Sequence, residues 1–176
     1  RTTSSAASDV YKRQKQWYET TDTPYAIFAE DDVSFDTARF WKFTWDEFVE
    51  KLPYDWDVVQ LAIINPGVVY ASMHARWVND FSTACFMVTR HHAKKLIEHH
   101  CVGDKFRLDQ GVKPRPVADD LIYNCGRTYA IPLFHYKIEL GSSIHPDHIE
   151  VFHKGSHKGI LDHWREQLAQ MEDQSQ

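Results

Sequence analysis

The sequence predicts an α/β domain with a mostly parallel central sheet flanked by helices. Three observations lead there. Apolar runs that are hydrophobic on both faces recur at residues 25–29, 58–64, 83–88 and 128–131, as strands covered on both sides require. Segments with apolar residues at helical spacing separate them, and such alternation marks a layered α/β architecture. The chain has 176 residues, 43% hydrophobic and 14% aromatic. That is enough for the core of one domain and too much for a disordered chain.

The elements follow in order. Residues 15–21 (KQWYETT) read as the end of a helix, and Asp22-Thr23-Pro24 as a turn, with proline fixing φ. The run YAIFA at 25–29 is the first strand, and it stops abruptly at Glu30-Asp31-Asp32. Ser34 or Asp36 can cap the next helix, because a short polar oxygen accepts from the exposed N–H groups of a first turn. Phe40, Thr44, Phe48 and Leu52 then fall at i, i+4 spacing beside Trp41, Trp45 and Val49. This predicts one amphipathic helix, ended by Pro53. Residues 58–64 (VVQLAII) form the second strand, broken by Asn65-Pro66-Gly67, and 68–81 read as an irregular aromatic loop. Residues 83–88 (TACFMV) are the third strand. Thr89 can cap a helix over 90–100, with Ala93, Leu96 and Ile97 on its buried side. Residues 101–116, with two prolines and two glycines, are a loop. A short helix over 118–125 opens with Asp119-Asp120 and stops at Gly126. The fourth strand covers 128–131. Residues 139–158 are polar and histidine-rich without a period, and Leu161, Trp164, Leu168 and Met171 mark a final amphipathic helix. No repeat, low-complexity tract or glycine-rich phosphate loop is present.

Composition removes several functions. Lys+Arg is 20 against 25 for Asp+Glu, a net charge of -5. No positive excess is available to displace counterions from phosphates, so a generic nucleic-acid partner is excluded. No apolar run approaches the roughly 18 residues of a transmembrane segment. Cys85, Cys101 and Cys125 are an odd count without a CxxC pair. That disfavours a disulfide framework or zinc ribbon and fits a reducing, cytoplasmic compartment.

Residues 4–14 (SSAASDVYKRQ) resemble the in-frame translation of a transposase-based sequencing-library adapter. The alternative is a natural Ser/Ala-rich leader; the segment has no apolar core of a secretory signal. The expectation is an artefactual, disordered leader over 1–14. The natural sequence would then begin mid-gene near Lys15, from shotgun sequence of a community or uncultured source. Residues 1–14 carry Arg1, Lys12, Arg13 and Asp9, so the remaining 162 carry -7 rather than -5.

Three constellations could carry chemistry. Glu30-Asp31-Asp32 ends the first strand, and ligand sites in open α/β sheets lie beyond the carboxyl ends of strands. Adjacent carboxylates repel one another unless a cation sits nearby, and hard cations such as Mn²⁺ or Mg²⁺ prefer oxygen ligands. On spacing alone, an acidic turn with Asp31 or Asp32 as an ordinary cap explains them equally well. Asp119-Asp120 opens a helix, where the macrodipole favours carboxylates, so capping accounts for one of them. The functional alternative makes one a general base that removes a hydroxyl proton from an acceptor. The third is the histidine set: six of 11 lie between His135 and His163. Within 153–158 (HKGSHK), His153 could ligate a metal and Lys158 could contact a phosphate. Solvent exposure is the ordinary state of such residues, and His91-His92 and His99-His100 likewise read as surface residues. Trp77, Tyr70 and Trp56 could stack on a sugar or base, or simply fill a core. No cysteine sits in the electropositive surroundings of a nucleophile.

Taken in order, these blocks resemble glycosyltransferase family 25, the lipopolysaccharide- and collagen-type sugar transferases. Residues 25–33 (YAIFAEDDV) look like the family's apolar strand ending in Glu-Asp-Asp, and 55–61 (DWDVVQL) like its following strand. Residues 83–98 (TACFMVTRHHAKKLIE) are similar to its strand–helix block. Residues 117–121 (VADDL) look like the later acidic block, and 141–144 (GSSI) like a Ser-x-Ile segment near its end. The resemblance implies a GT-A-like fold with a divalent cation, usually Mn²⁺, at an Asp-x-Asp-like motif. By position, Asp32 would be the direct metal ligand and Glu30 or Asp31 would face the ribose or sugar. Asp119 or Asp120 would lie near the acceptor. The segment with His153 and Lys158 is faintly similar to a C-terminal metal and diphosphate segment of other GT-A enzymes. The family's first strand and next helix would lie upstream of Lys15, leaving 15–176 a partial domain that could be inactive by itself.

The expected function is transfer of a sugar from a nucleotide-diphosphate donor to a hydroxyl of a glycan, lipid or protein. The cation would stabilise the departing diphosphate. The alternatives are a non-catalytic carbohydrate-binding or virion-associated module and a metal-dependent phosphoesterase.

Overall fold

A computed structural model describes residues 2–65, 69–103, 105–106, 118–137 and 154–173. In chain order these form helix α1 (Thr2–Thr20), strands β1 (Tyr25–Ala29) and β2 (Val33–Ser34), a 3-10 turn (Asp36–Phe40) and helix α2 (Trp45–Glu50). Strands β3 (Val58–Ala62), β4 (His74–Ala75) and β5 (Cys85–Thr89) come next, then helix α3 (Arg90–His100). A small pair, β6 (Cys101–Val102) and β7 (Lys105–Phe106), precedes helix α4 (Ala118–Tyr123), strand β8 (Thr128–Tyr136) and helix α5 (Lys154–Asp173).

The architecture is mixed α/β, as expected, but the sheet is mostly antiparallel. Its order is β1-β5-β3-β8-β2, with β4 also on β8. Among the described residues only β3 and β8 pair in parallel; β1–β5, β3–β5, β2–β8 and β4–β8 are antiparallel. Apolarity on both faces reports burial, not direction. The chain leaves β3 and re-enters at β5 on the same end of the sheet, which makes neighbouring strands antiparallel without a crossover. Helices α3 and α4 then carry the chain back, and β8 runs alongside β3.

Burial on both faces follows from two cores. Val59, Leu61, Met87 and Leu133 pack with Phe48, Leu52, Ile160 and Trp164 on the side of α2 and α5. Val58, Phe86 and Val88 pack with Val10, Tyr11, Leu96 and Leu121 on the side of α1, α3 and α4. The neighbours Val58 and Val59, and Phe86 and Met87, thus face opposite layers, as the two-residue strand period demands.

Local differences from expectation have local causes. The single helix expected over 36–52 is split in two. Thr44, which fits the apolar stripe by position, instead caps α2: its Oγ accepts from Glu47 N at 3.2 Å, and Glu47 Oε2 accepts from Thr44 N at 2.7 Å. This reciprocal capping box starts a new helix where spacing alone suggested continuity. Ser34 Oγ accepts from Asp36 N at 3.2 Å, which starts the 3-10 turn. Strand β8 continues past Pro132, where its register against β3 is interrupted. Proline is tolerated at such an irregularity, and Pro132 O accepts from Trp164 Nε1 at 2.9 Å.

Helix α1 runs through the segment expected to be disordered. Val10, Tyr11 and Gln14 are buried, and Tyr11 OH donates to Leu121 O at 3.4 Å. The reason is a helical face: Val10, Tyr11 and Trp17 all meet the core beside α3 and α4. Two histidines expected at the surface, His92 and His100, are buried as well. His92 Nε2 lies 3.2 Å from Ile122 O, and His100 packs on the Tyr11 ring at 5.2 Å. No described helix is long and apolar enough to cross a membrane.

Candidate functional site

The carboxyl ends of β1, β3 and β8 and the entry to β5 lie at one end of the sheet. Glu30 leaves β1 there, and its N–H donates to Ala84 O at 2.7 Å. The rest of the triplet is gripped from the exit of β8. Lys137 N donates to Asp32 O at 2.7 Å, and Lys137 Nζ to Asp31 O at 3.1 Å. The acidic turn is therefore clamped between two strands that lie far apart in sequence.

Asp119 arrives from the start of α4. Its carboxylate accepts from the backbone N–H of Ser82. Ser82 is the hub of the site and holds φ at 106°, a region L residues rarely adopt. Every polar group of Ser82 is engaged. Its carbonyl accepts from Tyr123 OH at 2.7 Å and from Gln60 Nε2 at 2.9 Å. Its Oγ pairs with Tyr136 OH and accepts from Ala84 N at 3.0 Å. Gln60, buried in the middle of β3, also donates to the carbonyls of Phe81 at 2.8 Å and Asp80 at 3.2 Å. One interior amide thus fixes the whole turn that presents Ser82 to Asp119.

The charges interact. Burial first, and then Asp32, pushes the Glu30 carboxyl above its ordinary range; Asp31 and Asp119 add to this and Arg13 opposes it. Burial raises Asp119 too, against the opposing pull of the Ser82 N–H and Arg76. The Tyr136 phenol is held well up by burial, with Glu30, Asp32 and Asp119 contributing. The structure therefore brings Glu30, Asp32 and Asp119 into one electrostatic neighbourhood around Ser82 and Tyr136. Asp120 is buried in α4, and Asp119 is the member of that pair that meets Ser82.

The other expected residues fare differently. His153 lies outside the described residues. Lys158 is exposed on α5, and among the described residues no ion pair joins it to the carboxylates. The start of α5 is nonetheless tied to this end of the sheet. Asn65 N donates to Ser156 Oγ at 3.4 Å, and His157 Nδ1 lies 3.3 Å from Tyr136 O. Among the described residues no group of three or more His, Cys, Asp or Glu side chains is gathered closely enough to hold a metal ion. Trp56 packs edge-on against Tyr25 and is a core residue, whereas Tyr70 and Trp77 meet at 4.7 Å on the surface. All three cysteines are unpaired, and burial raises each thiol, Cys85 to about 12.

Ser82, Tyr123, Tyr136, Gln60 and Arg76 escaped the sequence reading. Each is an ordinary strand, helix or loop residue by pattern, and only the long-range pairing of β3, β5 and β8 with the packing of α4 brings them together. The one local hint was Gln60, a polar side chain inside an otherwise apolar strand.

Compared with known protein families, curated proteins and solved structures, the chain matches none.

Proposed function

We propose that this domain is a metal-dependent glycosyltransferase, moving a sugar from a nucleotide-diphosphate donor to a hydroxyl of a glycan, lipid or protein. One observation carries the proposal: Asp119, held by Ser82 N, raises the Glu30 carboxyl together with Asp32 and Asp31, so carboxylates from two separate sequence blocks share one electrostatic neighbourhood near the carboxyl end of β1. A GT-A-like reading of the mixed sheet belongs to the same proposal. So does a cytoplasmic location, which the unpaired cysteines favour.

The donor atoms suit Mn²⁺ or Mg²⁺ by chemistry. They are carboxylate oxygens, and Glu30 is repelled by Asp32, Asp31 and Asp119, a repulsion that a cation would relieve. Asp32 would hold the ion, with His153 as a further ligand. When bound, the ion supplies charge stabilisation for the departing diphosphate. Glu30 and Asp31 would orient the ribose or sugar, and Lys158 would contact the diphosphate. Asp119 would accept the proton of the attacking hydroxyl. Burial makes its carboxylate more basic, and the Ser82 N–H holds one oxygen in place. Asp120 stands behind it as the buried alternative.

The test is Mn²⁺-dependent release of nucleoside diphosphate from a panel of nucleotide sugars by the full-length gene product. Asp32→Asn is expected to lower that release by on the order of 100-fold or more, the scale of losing transition-state charge stabilisation. Unchanged turnover would remove the metal assignment. Release of phosphate from simple esters, with nucleotide sugars ignored, would replace the transferase with a phosphoesterase.

A further inference from the structure

A second feature lies on the segment that leads into Ser82. Trp77 and Tyr70 stand edge to face, with ring centroids 4.7 Å apart and planes at 81°. They remain 45% and 49% exposed, which is unusual for two large rings already in contact. His74 packs beneath them, 4.9 Å from the Trp77 ring and 6.2 Å from that of Tyr70.

The rings are held from below. His74 Nδ1 lies 2.7 Å from Ser72 O, and Nε2 lies 3.1 Å from Asp80 Oδ2. Asp80 is buried, and it also accepts from Trp77 N at 2.9 Å and from Asn65 Nδ2 at 3.2 Å. A buried carboxylate therefore fixes both the imidazole that supports the rings and the backbone of Trp77. An exposed ring with no role costs nothing to leave loose. An exposed ring whose backbone and supporting imidazole are both tied to one buried carboxylate is prepared for a ligand, because ordering done in advance is not charged against binding.

We infer that Trp77 and Tyr70 form a stacking subsite for a neutral pyranose ring. The charges nearby argue for a neutral ligand. His74 is spent on Asp80. Arg76 turns inward: its Nε donates to Gln60 Oε1 at 3.2 Å and to Asp80 O at 3.1 Å, and its guanidinium lies 4.6 Å from the Tyr123 ring centroid. Neither side chain is left to meet a phosphate or carboxylate. The size argues against a protein partner. Two rings cover about one sugar ring, while a stable protein interface needs about 800 Å² per partner. The apolar C–H face of a pyranose suits an aromatic face, and its hydroxyls stay at the wet rim. Trp77 is three residues before Asp80 and five before Ser82, so the subsite lies on the segment that presents Ser82 to Asp119. Its assignment to the acceptor sugar rests on the transferase proposal; pyranose binding itself does not.

The test uses indole N–H resonances of the full chain, whose six tryptophans are resolved by nuclear magnetic resonance, with Trp77 assigned through Trp77→Phe. Neutral methyl pyranosides and short oligosaccharides are titrated, alongside a nucleoside diphosphate. At least one saccharide should shift the Trp77 indole saturably. With affinity read for every chain from the saccharide's own proton signals, Trp77→Ala and Tyr70→Ala should each weaken it by on the order of tenfold, the scale of one aromatic contact. Trp77→Phe should stay within about threefold of the unmodified chain, since a ring is kept. The remaining indole signals report whether each variant is folded. No saccharide shift, an affinity indifferent to Trp77→Ala, or a shift caused by the nucleoside diphosphate alone would each overturn the inference. Donor turnover is measured in parallel. Saccharide binding at Trp77 without turnover leaves the subsite standing and removes the transferase; turnover without saccharide binding does the reverse.

Discussion

Replacing Ser82 should reverse the usual ranking of alanine and glycine. Its φ of 106° lies where a β-carbon crowds the backbone, at a cost of about 1–3 kcal/mol for an L residue. Ser82→Ala keeps that strain and loses the hydroxyl contacts to Tyr136 OH and Ala84 N. Ser82→Gly loses the same contacts but relieves the strain. Against this, glycine gives the unfolded chain extra freedom worth about 0.4–1 kcal/mol. The difference leaves Ser82→Gly more stable than Ser82→Ala by roughly 0.5–2 kcal/mol. For a chain of this size that is a gap of about 1–8 °C in Tm. Both variants should be less stable than the unmodified chain, because the buried Tyr136 hydroxyl loses its partner. The assay is urea denaturation of the three chains side by side, with m-values compared to check that one transition is being measured. Equal stability of the two variants, or a more stable alanine variant, would refute the claim that the turn is strained to hold Asp119.

Three other outcomes are expected. At Gly126 a β-carbon would stand 2.6 Å from His92 Cε1 and 2.7 Å from Asp57 Oδ2, both held by hydrogen bonds. Gly126→Ala should therefore cost about 1–3 kcal/mol, read as a lower urea midpoint, and an unchanged midpoint would mean that His92 yields freely. The Glu30 carboxyl is raised in the folded chain, by burial first and Asp32 next. As pH rises from the ordinary carboxylate range to that raised value, the unfolded chain loses its proton first and stability falls. Without added metal, Glu30→Gln should therefore raise Tm at about pH 7 and leave it unchanged at about pH 3; the opposite pattern would show that Glu30 is stabilised by its neighbours. Asp119 is likewise raised by burial, so the acid limb of donor-to-acceptor kcat/KM should lie above the ordinary aspartate range. Asp119→Asn should lower kcat by about 10²–10⁴, and a limb that survives the substitution would assign the base elsewhere.

Much of the fold was legible because it rests on local signals. All four apolar runs became strands, and Thr89 caps α3 through His92 N as its position suggested. Strand direction was not legible. The residues of β5 are as apolar as those of a parallel strand, and only the path of the chain between β3 and β5 sets their sense. The split at Thr44 was written in the sequence as Thr44 and Glu47, but the i, i+4 stripe hid it. Histidine burial was also missed, since His92 and His100 are polar by type and buried by helix phase. In the candidate site, the two acidic blocks were visible as blocks. Their proximity was not, because it depends on the long-range strand pairing and on Ser82 holding Asp119, and a serine at positive φ leaves no mark in a sequence.

The acidic turn at Asp32 is proposed to hold a divalent cation that a nucleoside diphosphate shares. Electron paramagnetic resonance of Mn²⁺ titrated into the full-length gene product tests it directly, with and without a nucleoside diphosphate. The free-ion signal should fall as protein is added, fall with the diphosphate by more than protein and diphosphate each remove alone, and in Asp32→Asn return to the level set by the diphosphate without protein. A signal that falls equally in Asp32→Asn, or that ignores the diphosphate, would contradict the account.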